Sequence, residues 1–196
     1  MKIKVLLGTL VLLTATFANT ALAVEKGDWL WRFGVSNVDP KSDNHSIVSV
    51  DDASGFTTNV SYMFTDHLSV ELLAAYPFEH DITAGGDVVA STKHLPPTVS
   101  VQYHFMPKNA FKPYVGLGVN YTTFFSTKSV LGNLDLGDSW GLAGEVGVDI
   151  ILGDKWFLNG SVRYIDIETK ARLDGASLGT VAIDPMVYGL HLGLKF

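Results

Sequence analysis

The fold class is decided by a stretch in the middle of the chain, Val115-Gly-Leu-Gly-Val-Asn-Tyr-Thr122. Every second residue in it is apolar or aromatic, whereas the residues between them are glycine or small and polar. Successive side chains of a strand point to opposite faces, so the stretch predicts a strand with one apolar face. A soluble barrel turns its charges to water, whereas a membrane barrel turns an apolar face to lipid. The purely apolar face of this stretch indicates the membrane barrel.

Seven further segments share this period of two. Their apolar faces fall within 29–35, 58–64, 68–76, 99–105, 140–150, 156–164 and 188–196. Eight strands leave an interior only just wide enough for side chains, which suits the glycine-rich second face. We therefore predict an all-β fold, an eight-stranded antiparallel transmembrane β-barrel.

The connections between these segments alternate in length. Three of them are short, at 65–67, 106–112 and 153–155, and four long stretches lie around 39–54, 77–93, 126–138 and 166–183. Barrels of the bacterial outer membrane have short periplasmic turns and long extracellular loops. The pattern predicts that both termini are periplasmic and that the protein resides in the outer membrane of a Gram-negative bacterium. Lipid and lipopolysaccharide would then be its surroundings, and the terminal Phe196 is typical of the strand that barrel-assembly machinery reads.

The first residues have the three parts of a secretory signal. Lys2 and Lys4 give the positive start, 5–13 the apolar middle, and Ala21-Leu-Ala23 the cleavage site. The apolar run is shorter than the roughly 20 residues that a membrane-spanning helix needs. We expect residues 1–23 to be a cleaved signal peptide and 24–196 to form the barrel.

The charge balance argues against a nucleic-acid partner. Acidic side chains outnumber basic ones by 20 to 14, and two of the basic ones lie in the leader. Binding to phosphates requires a surplus of basic side chains. The chain has no cysteine, so disulfides do not stabilise it.

No arrangement of residues predicts an enzyme, a cofactor or a metal site. Asp87, Ser91 and His94 follow no catalytic motif. His94 and His104 are ten residues apart on an extended strand, roughly 33 Å, too far to share a metal ion. His45 and His80 fall in predicted loops, where we expect them to be solvated.

Three stretches resemble the OmpW family of small outer-membrane proteins. The first of them is Phe64-Thr-Asp-His-Leu-Ser-Val-Glu-Leu-Leu-Ala-Ala-Tyr-Pro-Phe78. The others are Lys93-His-Leu-Pro-Pro-Thr-Val-Ser-Val-Gln-Tyr-His-Phe105 and Pro113-Tyr-Val-Gly-Leu-Gly-Val-Asn-Tyr-Thr-Thr-Phe124. The resemblance implies an eight-stranded barrel whose largely apolar lumen helps small hydrophobic molecules cross the outer membrane.

The inward-facing residues change in character along the barrel. Charged ones lie at mid-height and below, whereas the predicted outer half is mostly apolar. The sequence therefore predicts a site for a small hydrophobic solute, lined by Ala75, Pro77, Pro96, Phe124, Ile165 and Val187. The rival interpretation is a structural or adhesive barrel that acts through its extracellular loops.

Prolines mark the outer ends of two neighbouring strands. Pro77 ends one strand, and Pro96 and Pro97 open the next. Because proline donates no ladder hydrogen bond, these residues predict a weak lateral seam through which a solute could leave. They could equally do no more than terminate the strands.

Turn length predicts one internal ion pair. A three-residue turn at 153–155 pairs Leu152 with Trp156, which places Glu145 opposite Arg163 on the inward face. Directly opposed Cβ atoms lie about 5 Å apart, within reach of both side chains. The alternative is two separate charges in lumen water.

Overall fold

The computed structural model describes residues 23–41 and 48–196. The predicted signal peptide lies outside these residues, apart from Ala23. Among them, no helix is long and apolar enough to cross a membrane. The described residues form fourteen strands: β1 (Trp29–Asp39), β2 (Val48–Val50), β3 (Ala53–Met63), β4 (Leu68–Ala75), β5 (Phe78–Ala84), β6 (Asp87–Leu95), β7 (Thr98–His104), β8 (Phe111–Ser129), β9 (Leu134–Leu136), β10 (Ser139–Ile151), β11 (Trp156–Ile165), β12 (Glu168–Leu173), β13 (Ala176–Ala182) and β14 (Met186–Lys195).

Eight of these strands close into a barrel. In the order β1, β3, β4, β7, β8, β10, β11 and β14, each pairs antiparallel with the next, and β14 pairs back with β1. The predicted eight-stranded antiparallel barrel is confirmed. Its turns at one end, called here the turn end, are short, and both described termini lie there, where Trp29 N donates to Phe196 O. The opposite end is called the loop end.

The apolar face points outward and the polar face inward. Leu117 is 77% exposed and Trp140 is 73% exposed, whereas Arg32 and Glu71 are completely buried. Inward glycines make room for large side chains, since a Cβ on Gly116 would lie 2.7 Å from Glu145 Oε1. This inverted arrangement is that of a barrel whose outer surface meets lipid.

The remaining six strands lie at the loop end, in stretches predicted to be loops. That part of the prediction was wrong for much of 77–93 and 166–183. Hairpins form there because two-residue turns with positive φ match the twist of paired strands. Gly85 and Gly86 (φ 61° and 97°) join β5 to β6, and Asp174 and Gly175 (φ 49° and 83°) join β12 to β13.

These extra strands extend the barrel wall. The β5–β6 hairpin continues the sheet because β6 pairs with the outer part of β8 and β5 pairs with β2. The β12–β13 hairpin forms a separate three-stranded sheet with β9. Together they enclose space beyond the end of the barrel.

The turn end of the barrel is plugged. Val24, Leu30, Met63 and Phe157 form a buried apolar cluster there. The backbone N–H of Val24 donates to the carbonyl of Pro107 at 2.8 Å, which holds this part of the chain across the opening.

Candidate functional site

Charged side chains fill the middle of the lumen. Arg163 Nη2 lies 2.5 Å from Glu145 Oε2 and 2.5 Å from Glu71 Oε1. Glu145 pairs directly with Arg163 across β10 and β11, the register expected from the three-residue turn. The pair therefore belongs to a larger group, because Glu71 reaches it from β4 across the lumen.

A second arginine extends this group toward the turn end. Arg32 Nη2 donates to Asp149 Oδ2 at 2.8 Å, and its Nη1 lies 3.4 Å from Glu71 Oε2. Gln102 Nε2 bridges the two glutamates, at 2.8 Å from Glu71 and 2.7 Å from Glu145. We call these six side chains, Arg32, Glu71, Gln102, Glu145, Asp149 and Arg163, the lumen network. All six are buried, so side chains rather than an open pore occupy the lumen at this height.

An apolar cavity of about 270 Å³ lies at the loop end. Its walls come from the outer part of β8 and from the strands beyond the barrel. Its lining includes Ile82, Phe124, Leu136, Ile167, Val181 and Ile183. The cavity therefore depends on segments that the sequence predicted to be loops.

The predicted lumen residues take three different positions relative to this cavity. Phe124 lines it directly. Ile165 is buried and Val187 partly buried in an adjoining apolar cluster with Ile167 and Ile183. Ala75, Pro77 and Pro96 are not part of the lining. The sequence predicted an apolar site among the inward-facing residues of the barrel strands. The cavity lies farther toward the loop end, because the extra strands extend its walls beyond the barrel.

The prolines lie where two strands stop pairing. The β4–β7 ladder ends at Leu73 and Thr98, and the β5–β6 ladder begins at Phe78 and His94. Residues 74–77 and residues 95–97 are the two sides of a seam, and they form no ladder pair with each other in the described chain. Their hydrogen bonds go to the other neighbours instead: Tyr76 N donates to Phe56 O, and Pro97 O accepts from Tyr121 N.

Two histidines lie in the cavity wall. His80 and His94 are 2% and 3% exposed, and their rings stack at 4.8 Å between centroids. The expectation that His80 is solvated was wrong. The signal that could have placed it is the alternation of 78–82, in which Phe78, His80 and Ile82 share a face. Burial lowers the pKa of both rings, that of His94 to about 3, although the Asp51 carbonyl raises the pKa of His80.

The other candidate groups for chemistry do not converge. Ser91 and His94 lie at odd and even positions of β6 and so point to opposite faces of the strand. No group of three or more metal-ligating side chains capable of holding an ion occurs among the described residues. Most of the side chains that line the cavity are apolar.

Known proteins share both the sequence pattern and the architecture. A sequence model of the OmpW family matches residues 25–196. Outer membrane protein W of Vibrio cholerae is 42% identical, over 95% of this chain and 97% of that protein. The crystal structure of the outer membrane protein OprG from Pseudomonas aeruginosa has a TM-score of 0.79 at 36% identity and covers 89% of this chain and 98% of that one. The dibenzothiophene metabolism operon protein PahQ of Pseudomonas aeruginosa is 23% identical, over 88% of this chain and 90% of that protein. The family resemblance seen in the sequence is thus confirmed: the chain belongs to the OmpW family and is an outer-membrane β-barrel protein of a Gram-negative bacterium.

Proposed function

We propose that this barrel helps small hydrophobic molecules to cross the outer membrane. A solute enters the apolar cavity from outside and leaves sideways into the bilayer. The observation that carries this proposal is the position of the cavity directly beyond a lumen filled by a charged network. Transfer of an apolar solute from water into such a cavity is favourable by about 25 cal/mol per Å² of apolar surface.

The lumen network argues against straight passage. A solute on that path would have to separate Arg163 from Glu71 and Glu145. Arg163 Nη2 lies 2.5 Å from a carboxylate oxygen of each glutamate. Breaking one buried ion pair costs about 3–5 kcal/mol, and an apolar solute offers nothing in exchange. The apolar cluster of Val24, Leu30, Met63 and Phe157 then closes the turn end. An exit through the wall avoids both obstacles.

The seam offers such an exit. It lies next to the cavity, since His94 lines the cavity and forms the first ladder pair beyond the seam. Pro77, Pro96 and Pro97 have no N–H to donate, so the two sides cannot be fully joined there. Parting the two sides of the seam breaks no ladder hydrogen bond between them.

The lengths of the connections indicate the orientation of the barrel in the membrane. Short turns belong on the periplasmic side, so the turn end and both termini face the periplasm in this proposal. The loop end, with the cavity, then faces the exterior and the lipopolysaccharide. The name of PahQ connects that relative with the metabolism of dibenzothiophene, a small aromatic compound, and this supports a solute of the same class for the present barrel.

Uptake of naphthalene by intact cells tests the proposal. Cells that produce this chain should accumulate naphthalene faster than cells without it. Phe124→Asp places a charge in the cavity and should remove the difference. Phe125→Asp is the matched control, because residue 125 lies on the opposite face of β8 and does not line the cavity.

The outcome separates transport from an adhesive role. Uptake that is equal with and without the protein, at equal amounts of folded barrel, would overturn the transport function. Uptake unaffected by Phe124→Asp would remove the cavity from the route. Folding is checked by the resistance of the barrel to unfolding by detergent at room temperature.

A further inference from the structure

We propose that His80, packed against His94, accepts a hydrogen bond from solutes in the cavity, and that the cavity prefers apolar solutes carrying one hydroxyl group over equally large solutes without a donor. This inference rests on the proposed function, because it assigns a preference to the same cavity. It names the class of solute as small alcohols and phenols with an otherwise apolar body.

His80 presents a buried acceptor without a partner. Its Nδ1 lies 2.6 Å from the backbone carbonyl of Asp51. A carbonyl only accepts hydrogen bonds, so Nδ1 carries the proton. In the neutral ring Nε2 is then a lone-pair acceptor, and this atom is buried with no hydrogen-bond partner. Buried polar atoms are normally bonded, so an unpaired one on a residue that lines a cavity indicates a ligand group.

His94 does not satisfy that acceptor. The two rings stack with an angle of 24° between their planes. The N–H bonds of an imidazole lie in its plane, so a stacked ring cannot direct one at its neighbour. Phe78 and Phe124 pack on His94 at 5.6 and 5.9 Å between centroids and hold it in place.

The rest of the lining explains why the expected ligand group is a single neutral donor. The hydroxyls in the wall already have partners, since Thr92 bonds to Thr127 and Thr169 donates to the Gly137 carbonyl. No aspartate, glutamate, lysine or arginine occurs in the described lining. A charged solute would lose its hydration without gaining a counter-charge, which is costly. A hydroxyl gives up one hydrogen bond to water and gains one to His80.

The volume sets the size of the test compounds. At about 30 Å³ for a water-sized group, a cavity of about 270 Å³ holds roughly nine non-hydrogen atoms. Octanol and heptyl methyl ether match this size and are isomers of each other. Octanol has a donor, whereas the ether oxygen can only accept. Comparing the two isolates the hydroxyl donor from size and apolar area.

Binding is measured on the full chain in lipid nanodiscs by NMR of labelled histidine side chains. Octanol should shift the His80 Nε2 signal, and the ether should not. One neutral hydrogen bond predicts that octanol binds about three- to tenfold more tightly than the ether. His80→Asn should abolish the preference, because asparagine can keep the donor to Asp51 but lacks the Nε2 acceptor. His67→Gln is the histidine control, since His67 bonds to the His104 carbonyl at the turn end.

Each outcome has a distinct meaning. Equal affinities for the two isomers in the wild-type protein, or a preference that survives His80→Asn, would overturn the subsite while leaving the apolar cavity in place. If neither isomer binds, the proposed function fails as well. The signals of the wild-type histidines decide the question even if His80→Asn does not fold.

Discussion

Arg163 stabilises the barrel because its positive charge lies between the carboxylates of Glu71 and Glu145. Removing Arg163 should therefore lower the free energy of unfolding more than removing either glutamate. In Arg163→Met, Glu71 and Glu145 remain without the cation between them. Gln102 bridges one oxygen of each at 2.8 and 2.7 Å, so these oxygens lie within about 5.5 Å and repel by about 3 kcal/mol at an effective dielectric constant of about 20. Breaking a buried pair lowers the free energy of unfolding by about 3–5 kcal/mol. We expect a loss in that range for Arg163→Met.

Adding Glu145→Gln to Arg163→Met should restore part of the lost free energy of unfolding. Glu145→Gln by itself leaves Arg163 paired with Glu71, so we expect it to lower the free energy of unfolding by only about 1–2 kcal/mol. In the double variant the repulsion is gone, and about 3 kcal/mol should return relative to Arg163→Met. Pairing across β10 and β11 by itself would leave Arg163 without a partner once Glu145 is removed, but the contact with Glu71 supplies one.

Equilibrium unfolding in urea, with the barrel in lipid vesicles, measures these differences through tryptophan fluorescence. The control is the same cycle on Lys93 and Glu79, which lie 3.5 Å apart but are 41% and 54% exposed. Their coupling should stay below about 1 kcal/mol. Additive losses for Arg163 and Glu145, or coupling no larger than in the control pair, would refute the electrostatic account of the lumen network.

Three further predictions concern other parts of the chain. Mass spectrometry of the mature protein should place signal cleavage between Ala23 and Val24, and a retained leader would contradict the predicted topology. A disulfide between Ala75→Cys and Pro96→Cys, which continue the β4–β7 register across the seam, should stop solute uptake until it is reduced; normal uptake by the oxidised protein would exclude a lateral exit there. Gly116→Val should destabilise the barrel by about 1–3 kcal/mol in urea unfolding, because its Cβ would lie 2.7 Å from the carboxylate beneath it.

Local pattern was sufficient for the barrel itself. The alternation around Leu117 and Trp140 determined which face meets lipid, because side chains of a strand alternate regardless of what surrounds it. Turn length then fixed the register that sets Glu145 opposite Arg163, since neighbouring strands inherit their pairing from the turn between them. These properties depend on residues close in sequence, and the sequence therefore determines them.

Tertiary structure decided what the barrel contains. Glu71 meets Arg163 across the lumen only because the closing of β14 on β1 sets the diameter and stagger of the wall, which no single hairpin specifies. The cavity beside His80 depends on β2, β5, β6 and the β12–β13 hairpin meeting over the loop end. Their polar residues are typical of loops, and their two-residue turns define hairpins but not where those hairpins pack. The cavity is therefore a product of contacts between distant segments, whereas the wall that supports it was determined by the sequence.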